Sequence, residues 1–70
     1  MVIIKTDTAI LNFDNIIRIY TENFDDQSRL YAHTNEGEDI LIDVNTPTEI
    51  AEMLDGISCC LEMGFKVIKI

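Results

Sequence analysis

Seventy residues with 13 acidic side chains, 5 basic ones and a single histidine give a formal net charge of −8, a field that repels phosphates and argues against DNA, RNA or an anionic membrane surface as partner. Apolar runs of a few residues fall short of the roughly 20 that a membrane helix requires, and no signal-peptide pattern precedes the first strand. A chain of this length reads as one domain, residues 1–70, which buries only roughly 60% of the surface its unfolded form exposes.

Hydrophobic residues make up 47% of the chain, with no tryptophan and no disulfide framework. Small domains of this kind gain stability by associating, so a homo-oligomer, a dimer, is expected. The adjacent Cys59 and Cys60 suit neither zinc spacing nor a disulfide borne on one helix, which agrees with a reducing compartment and hence the cytoplasm. The charge is unevenly placed: residues 36–62 hold eight acids and no lysine or arginine, while the remainder holds five acids and five bases. Such a surface keeps a small protein soluble; a basic partner is the other reading.

In chain order, residues 2–6 and 9–13 read as short strands joined at Asp7-Thr8. A two-residue hairpin sets Thr6 against Ala9, Ile4 against Leu11 and Val2 against Phe13. Val2, Ile4, Leu11 and Phe13 then share one face, leaving Ile3, Lys5, Ile10 and Asn12 on the other. Asp14-Asn15 turns the chain into a strand over 16–22, and residues 24–28, FDDQS, form a polar loop. Strands over 29–34 and 39–44 follow, separated by the NEGE turn at 35–38. Alternation directs Ile17, Ile19, Leu30, Ala32, Ile40, Ile42 and Val44 to one face, and Arg18, Tyr20, Glu22, Arg29, Tyr31, His33, Leu41 and Asp43 to the other. Pairing Glu22 with Arg29 sets Tyr20 opposite Tyr31 and Arg18 opposite His33.

The strongest local signal is the helix over about 47–63. Thr46 is its N-cap and Pro47 its first residue, Glu49 can close a capping box, and Gly64 supplies the left-handed stop. Ile50, Leu54, Ile57 and Leu61 form one apolar stripe, with Glu52, Asp55, Cys59 and Glu62 opposite. The terminal FKVIKI is a further β-rich segment. The expected fold is α+β: an antiparallel β-meander of about five strands, the helix packed on one face, and a C-terminal strand at an edge or in a partner's sheet. The succession ILNFDNIIRI, YAHTNEGEDILI and TPTEIAEML resembles short bacterial or phage proteins of unknown function with a β-meander followed by one helix. That resemblance implies a fold and no activity, and FKVIKI departs from its pattern.

No residue is assigned to catalysis, to a cofactor or to a metal. His33 with Asp43 on the next strand is the one conceivable acid–base pair, but no nucleophile motif or phosphate loop accompanies it. Asp25, Asp26, Glu36, Glu38 and Asp39 lack the spacing of a calcium loop. Two surfaces stand out for binding. One is the sheet face of Arg18, Tyr20, Arg29, Tyr31 and His33; the other is a helix stripe of Met53, Gly56, Cys60 and Met63, where small residues permit close approach and methionines adapt. The expected role is a non-enzymatic protein–protein interaction or regulatory module that self-associates. The alternatives are an acidic inhibitor or nucleic-acid mimic presenting Glu49, Glu52, Asp55 and Glu62 to a basic protein, and a small enzyme or ligand-binding protein using the His33 face.

Overall fold

The computed structural model describes residues 1–7 and 9–70. Its elements are β1 (Ile3–Lys5), β2 (Ile10–Asn12), β3 (Ile16–Phe24), β4 (Gln27–Thr34), β5 (Asp39–Asn45), α1 (Pro47–Glu62) and β6 (Val67–Lys69), with a 3-10 turn at Phe13–Asn15. The class is α+β, with a meander followed by a helix and a C-terminal strand. The strands divide between two three-stranded sheets, ordered β2-β1-β6 and β3-β4-β5. The division falls at the 3-10 turn, where the Asn12 side chain accepts the Asp14 N–H at 3.0 Å. That cap turns the chain out of the first ladder before β3 begins, so β1–β2 pairs with β6 instead of extending the meander.

The first hairpin has the expected register, with Ile4 opposite Leu11 and the Phe13 N–H bonded to the Val2 carbonyl. Its expected Asp7-Thr8 turn includes Thr8, which lies outside the described residues. β6 runs parallel to β1, pairing Ile4 with Ile68, so the C-terminal strand pairs within the chain, at the sheet's edge. Ile4 and Ile68 from one sheet, Leu30 from the other, and Ile50 and Ile57 from α1 form a single buried cluster. The helix stripe thus covers both sheets at once. Its Leu54 and Leu61 pack against that cluster, as do Val2, Leu11 and Phe13.

β3 and β4 continue through the expected FDDQS loop, with Asn23 opposite Ser28 and Phe24 opposite Gln27. Only Asp25-Asp26 turns, with Asp25 at φ +51°, a left-handed conformation that aspartate tolerates better than most residues. Ser28 is consequently buried, its hydroxyl bonded to the Asn23 side chain. Two β-bulges correct the expected inner face. One residue is added to β3 between the Ile16–Thr34 and Arg18–His33 pairs, which turns Ile17 outward, 65% exposed, and sends Ile16 to the core in its place. The other lies in β5 between the Leu30–Asp43 and Tyr31–Leu41 pairs. It puts Val44 opposite Arg29 on the outer face and Asp43 opposite Leu30 on the helix side. A bulge adds one residue to one strand, so it reverses the alternation beyond it.

The helix ends are closed by local chemistry. Thr46 Oγ1 accepts the Glu49 N–H at 3.3 Å, the cap expected. The reciprocal half of the capping box is replaced, because the Thr46 N–H donates to Asn45 Oδ1 at 2.8 Å. At the other end Gly64 takes φ +78°. The Phe65 N–H bonds the Cys60 carbonyl and the Gly64 N–H bonds that of Leu61, the two bonds of a Schellman motif.

Candidate functional site

The helix covers one side of the β3-β4-β5 sheet, and the other side presents three cross-strand rows. Arg18, His33 and Asp39 form the first, Tyr20, Tyr31 and Leu41 the second, and Glu22, Arg29 and Val44 the third. Directly opposed residues share a face, so the five residues expected together, Arg18, Tyr20, Arg29, Tyr31 and His33, do lie together. Phe24 extends the surface at the hairpin end: the Arg29 guanidinium sits 4.5 Å from its ring centre.

The side chains form a connected layer. The Tyr20 and Tyr31 rings stack with centroids 5.3 Å apart and planes inclined by 20°, and the Arg18 guanidinium lies 4.8 Å from the Tyr20 ring centre. Aromatic stacking and cation–π contact hold these long side chains against one another. His33 Nδ1 stands 2.8 Å from Asp39 Oδ1. An ionised carboxylate only accepts, so Nδ1 carries the proton and donates it to this bond. The bond from His33, then interaction with the Tyr20 phenol, holds the Asp39 carboxyl below its ordinary range. Tyr20 is shifted up, first by partial loss of solvent and then by the Asp39 carboxylate.

The expected His33–Asp43 pair is therefore replaced by His33–Asp39. The β5 bulge removes Asp43 from this face to the helix side, its Oδ1 accepting the Val44 N–H at 2.8 Å, and Asp39 stands directly opposite His33. The signal that could have found Asp39 is its place as the first residue after the NEGE turn, facing the penultimate residue of β4. Among the described residues neither Arg18 nor Arg29 makes an ion pair, whereas Asp39 is already engaged. The open positive charge on this face is thus arginine, in a chain whose net charge is −8.

The helix stripe is split. Met53, Gly56 and Cys60 line a groove of about 330 Å³ between α1 and β6, floored by Ile57, Ile68 and Ile70 and bordered by Glu49, Glu52 and Lys69. Met63 stands apart as the C-cap residue, 66% exposed, its sulfur 4.0 Å from that of Cys59. Among the described residues no group of three or more His, Cys, Asp or Glu side chains is placed to hold a metal ion, and no helix is long and apolar enough to cross a membrane. No family model, no curated protein and no solved structure matches the chain.

Proposed function

We propose that the protein is a non-enzymatic interaction module that self-associates and docks another protein on the outer face of β3-β4-β5. The observation that carries this reading is the prearranged layer of Tyr20, Tyr31, Arg18, Arg29 and Phe24 on a sheet face that none of the described elements covers. Tyrosine and arginine are the residues that most often anchor protein interfaces, and side chains already held by stacking lose little further freedom on binding. Leu41 and Val44 supply apolar area beside them, 48% and 39% exposed. The two arginines, neither of them in an ion pair among the described residues, select a partner surface that brings its own acidic residues among apolar ones.

The test is affinity capture from the source cell with the full chain and two double variants. Arg18→Ala with Arg29→Ala strips the sheet face, and Glu52→Gln with Asp55→Asn neutralises the exposed side of α1. A protein retained by wild type and by the helix variant but lost with the arginine variant is the expected result. Loss with the helix variant, together with capture that collapses as salt is raised, overturns this reading in favour of an acidic inhibitor surface on α1.

A further inference from the structure

We propose that a second copy of this chain docks along β6, its own β6 lying antiparallel to the first so that the two β2-β1-β6 sheets join into one. The proposal rests on the self-association in the reading above and names its site. In the β1–β6 ladder the Lys66 carbonyl accepts from Ile3 and the Ile70 N–H donates to Lys5, so residues 66, 68 and 70 turn their backbone groups inward. Val67 and Lys69 therefore turn theirs outward, along an edge that no strand among the described residues occupies.

Other edges are less suited to pairing. β3 and β5 each carry a bulge, a device that blunts sheet edges, and β2 runs straight into the 3-10 turn. The β6 edge is regular, and it opens beside the apolar groove against α1. One register fits it. Phe65 has spent its N–H on the Cys60 carbonyl, which leaves Val67 and Lys69 as the residues free to pair. Matching Val67 of each copy with Lys69 of the other uses both, each pair exchanging both backbone bonds, and keeps the two Lys69 side chains from facing each other. Ile68 then meets Ile68 across the two-fold axis, on the side where Ile68 is already buried.

Charge supplies the remaining complementarity. In this register Lys66 of the second copy falls opposite Ile70, at the end of the groove bordered by Glu49, Glu52 and Lys69, where carboxylates outnumber the one lysine, and pleating puts residue 66 on the same side as 68. Lysines on an edge strand ordinarily oppose pairing; here Lys66 meets carboxylates across the axis while Lys69 faces Val67, and both contacts occur twice by symmetry. Met53, Gly56 and Cys60 of the two copies line the seam.

Sedimentation equilibrium on the full chain tests this, with circular dichroism confirming that each variant is folded. Wild type should sediment at twice the 8.0 kDa chain mass. Val67→Pro deletes an outward N–H and no inward bond, so it should be folded and monomeric. Lys66→Glu and Glu52→Lys should each weaken association by about tenfold, the size of two lost surface ion pairs turned repulsive. Mixing those two variants should restore it, because both contacts in the mixed dimer are again opposite in sign. A monomeric wild type overturns the site and the self-association reading together. A dimer that is indifferent to Val67→Pro and to both charge reversals overturns this site alone and leaves self-association standing elsewhere.

Discussion

His33 Nδ1 and Asp39 Oδ1 lie 2.8 Å apart across the β4–β5 ladder, directly opposed at the mouth of the turn that connects those strands. The bond fastens the turn end of that hairpin and gives it a pH dependence of definite sign. Asp39 titrates below its ordinary value when folded. Its contribution to stability is therefore complete above the unfolded aspartate value and is lost as pH falls through the lower folded one. The thermal midpoint should show this loss on the acid side, and Asp39→Asn or His33→Ala should flatten that part of the profile. A side-chain carboxyl NMR titration of Asp39 in the His33→Ala variant should move back up toward the ordinary range.

Tyr20 gives the complementary alkaline signature. Its ionisation lies above the ordinary tyrosine range, with partial desolvation the larger cause and the Asp39 carboxylate the next. The stability linked to it is present below the unfolded value and is lost as pH rises through the folded one. Ultraviolet titration should resolve one phenol ionising late, and Asp39→Asn should bring it part of the way down, leaving the portion due to desolvation.

Ile16 and Ile17 test the β3 bulge. Ile17 is largely exposed while Ile16 packs against the core cluster. Ile17→Thr should change stability by less than about 0.5 kcal/mol. Ile16→Ala, losing half-buried methyl groups, should cost about 1–2 kcal/mol by urea unfolding. Equal costs at both positions would remove the bulge.

That pair also marks where the sequence stops being readable. The β3–β4 register was legible because Glu22, Tyr20 and Arg18 find Arg29, Tyr31 and His33 across a short turn, and each pairing is chemically sensible. The helix was legible because Thr46, Pro47 and Gly64 each favour one backbone conformation at one place. Bulges leave no such mark. Ile16-Ile17 offers two identical side chains, and Ile40, Ile42 and Val44 alternate without a break, so simple parity passes through both irregularities. The wrong choice of Asp43 follows from the same cause, since the β5 bulge carries it off the face of His33, whereas Asp39 keeps that face by simple alternation with Leu41 and was legible from the turn. The division into two sheets depends on the Asn12 cap of a single 3-10 turn. In sequence, Asn12 and Asp14-Asn15 mark only that the chain turns.

The helix ends should show distinct costs. Thr46→Ala removes the acceptor of the Glu49 N–H and should cost about 1 kcal/mol. Gly64→Ala places a Cβ at φ +78°, where a side chain is strained by about 1–2 kcal/mol, even though the space around it is open. Asn45→Ala exposes the Thr46 N–H and should be measurably destabilising for a residue that is itself exposed. Thermal unfolding of the three single variants checks the order.

The last prediction separates the two faces of β6. Ile68 is 3% exposed and part of the central cluster, whereas its neighbour Val67 is 49% exposed. A 70-residue domain has about 3.5–10 kcal/mol of stability at ordinary values per residue, so Ile68→Ala, at about 2–5 kcal/mol, removes a large share of it. Val67→Thr keeps the β-branched shape and leaves the core untouched, and should cost under about 0.5 kcal/mol in the monomer. Removing residues 65–70 does more than either. It takes away Ile68 and Ile70, uncovers Ile4 along β1, and deprives the Cys60 carbonyl of the Phe65 N–H that closes the helix. The shortened chain should lose its cooperative unfolding transition, which makes truncation a test of folding and leaves point changes on the outward edge as the test of association. A truncated chain that still unfolds cooperatively, near the wild-type midpoint, would show that β6 is an appendage and that the core closes without Ile68.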